Sequence, residues 1–146
     1  MIEKSAEEQL MDAHQKERDV LFSNEAFVIG VLQAVSGGSL FAALAQSEVL
    51  LKLSGRLPFL TFLTLMGIGL ISSVLAAYWK HQYKMWDVKA RVSDTPSQAQ
   101  TRSNSAGKYL IAMRRAMFIA VFAVVFSLGQ FLLFAWIRAL YSITST

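Results

Sequence analysis

The sequence predicts an all-α integral membrane protein with three transmembrane helices, an N-terminal cytoplasmic helix and a basic cytoplasmic link between spans two and three. Three observations carry this expectation. The chain of 146 residues is 54% hydrophobic and has a mean hydropathy of +0.41, which does not suit a soluble domain of that length. Its apolar residues gather into the blocks 26–47, 57–79 and 116–137, bounded by Glu25 and Glu48, Arg56 and Lys80, and Arg115 and Arg138. Each block matches the roughly 20 helical residues that cross a hydrocarbon core about 30 Å thick. Backbone groups in lipid must be paired internally, and blocks this long and continuous are helices rather than barrel strands.

The elements follow in order. Residues 1–25 form an acidic helix, because Ser5 followed by Glu8 is a capping-box pattern and neither proline nor glycine interrupts the run into the first span. The preceding charge is acidic rather than basic, so the first apolar block, 26–47, is read as a retained span and not as a signal peptide. Residues 48–56 make a short outer turn around "KLSGR", which sets spans one and two antiparallel. The second span, 57–79, continues into a helical extension, 80–92, where Tyr83, Met85, Trp86 and Val88 alternate with lysines as expected of headgroup-level helix. Residues 93–107 read as a flexible polar linker with nothing to bury. The chain re-enters the membrane through the interfacial stretch 108–115, crosses as span 116–137, and ends in an outer tail, 138–146.

Orientation follows from Lys and Arg near the span ends. Eight bases and two acids give the link 80–115 a net charge of +6, whereas the opposite side carries Lys52, Arg56 and Arg138. The link is therefore expected in the cytoplasm, with the N-terminus beside it and the C-terminus outside, in a plasma membrane or bacterial inner membrane. Residues 1–25, with seven acids against three bases, carry net −4 on the same side. Lys80, Lys84, Lys89, Arg91, Arg114 and Arg115 then have two candidate partners: anionic lipid, or the acidic helix in a cytoplasmic collar. Nucleic acid is not an expected partner despite a pI of about 9.6. The bases sit where topology requires them, with no recognition module around them.

Within the spans, small residues mark faces for helix packing. Gly30, Ala34, Gly38 and Ala42 recur every four residues in span one; Gly69, Ser73 and Ala77 repeat the spacing in span two; Ala120, Ala123 and Ser127 share a face of span three. These faces can be satisfied within the bundle, between copies in a homo-oligomer, or against a larger membrane protein. Gln33 and Gln130 are intramembrane amides that need a partner in hydrocarbon. Gln33 lies about 100° around the helix from Ala34, flanking the small stripe.

The chemistry expected of the chain is slight. It has no cysteine and only two histidines, His14 and His81, neither with a metal-ligand companion at useful spacing. No histidine lies inside a span to ligate haem, and no base lies near Ser72 or Ser73 to activate a hydroxyl. No catalytic, cofactor or metal site is expected. The sequence points to a non-catalytic membrane protein acting through helix packing, as a subunit or scaffold of a membrane assembly. The alternative is a homo-oligomeric pore or pore-forming effector with the Gln33 face turned toward water.

Overall fold

The computed structural model of the chain describes residues 6–144 except residue 94, with side chains from residue 12 to residue 141. The capping box at Ser5 lies outside the described residues. Four helices follow one another: α1, Ala6–Ala45; α2, Ser47–Ser54; α3, Arg56–Arg91; and α4, Pro96–Thr144. α1, α3 and α4 are long and apolar enough to cross a membrane, and the described residues form no strand.

α1 runs unbroken from the acidic segment into the first apolar block, passing through Gly37-Gly38-Ser39 without a break. The expected outer turn is itself helical. α2 carries Glu48 in its first turn and Lys52 in its last, each at the end the helix dipole favours. Gly55 then reverses the chain at φ 87° and ψ 167°, a conformation essentially confined to glycine.

The segment 93–107, expected to be a linker, is helical from Pro96 onward. Two features explain the difference. Proline at the first helical position is pre-set for a helix and loses no bond there. The segment also has something to bury: Ala106 is 4% exposed, and Arg102 Nη1 donates to the Lys89 carbonyl and to Ser93 Oγ, both at 2.9 Å. Ser93 Oγ also donates to the Lys89 carbonyl at 2.8 Å, so side chains satisfy the end of α3 and only a short bend separates it from α4.

α3 is the central helix, packed along its length on α4 and more lightly on α1, while α1 and α4 touch least. One core cluster joins Leu32 and Ala43 of α1 to Phe59, Phe62 and Met66 of α3 and Ala120 and Val124 of α4. A second, toward the basic end, joins Ile29, Ala76, Met113 and Ala116. Along the three apolar blocks the side turned away from these clusters is also largely apolar, with Phe41 78% and Phe118 77% exposed. Apolar side chains all round a helix suit a hydrocarbon surround rather than water.

Candidate functional site

All three long helices meet at Gly69. A Cβ there would lie 3.1 Å from Ser36 Oγ of α1, 3.2 Å from Val124 Cγ2 and 3.6 Å from the Ala120 carbonyl of α4. Small residues continue the seam, since Ser73, Ala120, Ala123 and Ser127 are buried and Ala77 is half-buried. Ser127 Oγ donates to the Phe62 carbonyl across the α3–α4 interface at 3.2 Å, and Ser73 Oγ donates to Leu70 within α3 at 2.8 Å.

α1 joins the bundle through a different face from its small-residue stripe. Ile29, Leu32, Ser36 and Ala43 are buried against the other helices, whereas Gly30, Ala34, Gly38 and Ala42 are all exposed. A Cβ at Gly30 or Gly38 would meet nothing within 4 Å. Gln33 is half-buried beside that stripe. Gln130 is half-buried on α4, and its Oε1, with Ser36 Oγ and Glu25 Oε2, is a buried oxygen without a hydrogen-bond partner. Such atoms cost stability unless something donates to them.

The basic end holds a second constellation. Lys80 is 8% exposed; its Nζ donates to the Phe22 carbonyl of α1 and lies 5.9 Å from the Phe22 ring centroid. Lys84 Nζ lies at the same distance from that ring, and Tyr83 packs on it with centroids 5.3 Å apart. Arg114 Nε is 4.0 Å from Glu25 Oε1. These two residues, with Met117, Phe118 and Val121, line a groove of about 420 Å³ between α1 and α4. The acidic helix and the basic link thus meet at Glu25, while Arg91 pairs within α3 to Asp87 at 2.8 Å. Lys89 Nζ lies 5.2 Å from the Trp86 ring centroid, and Arg115 is exposed.

Sequence reasoning missed one feature, a groove between α3 and α4 lined by Trp79, Trp86, Ser105, Lys108, Tyr109 and Ala112. The signal was present in the spacing: two tryptophans seven apart on α3, and α4 residues three and four apart, each share one helix face. Among the described residues, no group of three His, Asp or Glu side chains is placed to hold a metal ion. No family model, curated protein or solved structure matches the chain.

Proposed function

We propose that this chain is a non-catalytic multi-pass protein of a plasma or bacterial inner membrane, acting through helix packing as a subunit or scaffold of a membrane assembly. The observation that carries this reading is the α1 stripe. Gly30, Ala34, Gly38 and Ala42 form a smooth ridge on the side of α1 turned away from the bundle. In lipid, such a ridge allows another helix to approach closely, and packing rather than hydrophobic burial drives association. The N-terminus and the bend after α3 lie in the cytoplasm under the positive-inside rule, with the C-terminus outside. The basic residues at that end then face anionic headgroups.

The mass of particles purified in nanodiscs, with every co-purifying chain identified, tests the reading. More than one chain per particle is expected. Gly38→Leu should reduce the particle to single chains without unfolding them, because the bundle itself offers no obstacle at that site. Single chains in the unsubstituted protein, or dissociation by Val35→Leu but not Gly38→Leu, would remove the stripe from the argument. The pore reading draws support from Gln33, which stays half-buried beside the ridge. In liposomes, a tight bilayer across protein densities and voltages sinks it; leakage abolished by Gln33→Leu with the oligomer intact would favour it instead.

A further inference from the structure

The seam between α3 and α4 opens where the second apolar block ends. Trp79 closes that block, and Trp86 stands two turns further along the same face, about 10 Å nearer the bend. With Ser105, Lys108 and Tyr109 from α4, the two indoles line a groove of about 430 Å³. A second groove, of about 330 Å³, shares Trp86 and carries the path on to Arg102. The seam therefore begins at the hydrocarbon boundary and climbs through the headgroup zone.

Its chemistry changes along that climb. The aromatic side chains of Trp79 and Tyr109 form the lower part, while the Lys108 ammonium and the Arg102 guanidinium supply the charged donors toward the bend; the Ser105 and Thr101 hydroxyls donate within α4. Arg102 is held by the Lys89 carbonyl and Ser93 Oγ, which fixes its guanidinium in place and leaves further N–H donors for a ligand. Lys89 sits over Trp86 and adds a third positive charge. Among the described residues no carboxylate lines either groove. Among the described lining residues an ammonium headgroup finds no anion, whereas a phosphate finds the Lys108 ammonium, with Arg102 further along the seam.

We propose that this seam binds one anionic phospholipid per chain. Lys108 takes its phosphate beside Trp86 and Ser105, Arg102 adds positive charge further along the seam, its glycerol region lies against Trp79 and Tyr109, and its acyl chains run down the apolar α3–α4 surface. The site rests on the membrane-spanning reading and is independent of any subunit partner. It differs from a general attraction of basic residues to the leaflet because it is saturable and belongs to one face.

Tryptophan quenching by brominated lipids in phosphatidylcholine bilayers tests it. Trp136→Phe leaves Trp79 and Trp86 as the emitters, and the double variant Trp79→Phe/Trp86→Phe leaves Trp136, near the far end of α4. A small fraction of brominated phosphatidylglycerol should quench Trp79 and Trp86 more than the same fraction of brominated phosphatidylcholine, and should saturate. Trp136 should be quenched equally by both lipids. Lys108→Gln should lower the preference about ten-fold, the loss of one direct charge-assisted contact to the phosphate. Lys84→Gln, which lies over Phe22 on another face, should leave it unchanged. Equal quenching of Trp79 and Trp86 by the two lipids, or equal losses from Lys84→Gln and Lys108→Gln, overturns the site. A Trp136 quenched by neither lipid overturns the membrane-spanning reading, and the site with it.

Discussion

At Gly69 one missing methyl group lets three helices meet. Gly69→Ala would push a carbon to 3.1 Å from Ser36 Oγ and 3.2 Å from Val124 Cγ2, tighter than ordinary contact. The expected cost is about 1–3 kcal/mol, the usual range for overpacking, read as an earlier midpoint in a denaturing-detergent titration. Gly30→Ala should leave that midpoint unchanged, since nothing lies within 4 Å of the new carbon. If both variants behave alike, Gly69 is not the crossing point. The contrast also shows how much of the interior was legible. Spacing marked small-residue positions on all three apolar blocks; those of α3 and α4 lie in the bundle, whereas the α1 stripe is exposed outside it. In hydrocarbon, lipid-facing and helix-facing positions are both apolar, so periodicity cannot tell Ile29 and Leu32, which face the bundle, from Val28 and Val31, which do not.

Helices were easier to foresee than the joints between them. The three apolar blocks declared the spans, because no other regular structure survives so long a stretch of lipid. The helical course of 96–107 was hidden by its composition. Ser, Gln, Thr and Asn look like a linker, and the contacts that order them, Arg102 on α3 and Ala106 in the interface, arise only in three dimensions. Spin labels at Ser97 and Leu133, both exposed, should give a narrow distance distribution centred at about 54 Å, the rise of 36 helical residues. A broad distribution at shorter distances would restore the linker. At the other end, Gly55 is the one residue of the described chain with positive φ. Gly55→Ala should cost about 1–3 kcal/mol in the same detergent titration, from backbone strain and the approach of a Cβ to Arg138 Nη1 at 3.3 Å. No change would mean that the α2–α3 turn can adopt another path.

For the molecule as a whole, sidedness is the test that matters most, and the absence of native cysteine makes it clean. An impermeant thiol reagent added to intact cells should label Lys52→Cys and spare Ser97→Cys; both positions are exposed. Ser54 would be a poor reporter, because it is buried and its hydroxyl donates to the Leu50 carbonyl at 2.8 Å. Labelling at 97 but not at 52 would invert the orientation. The length of the helices then has a mechanical consequence. α1, α3 and α4 have 40, 36 and 49 residues, and their polar excess over the spans lies at one end, where Lys80 grips Phe22 and Arg102 grips the end of α3. α1, α3 and α4 are continuous from this stem into the apolar blocks, so under the proposed membrane-spanning reading the molecule would act as a lever whose fulcrum is the bilayer surface. A sideways load on the bend after α3 would then tilt the apolar helices, and whatever holds the stem would set the angle at which the α2–α3 turn is presented.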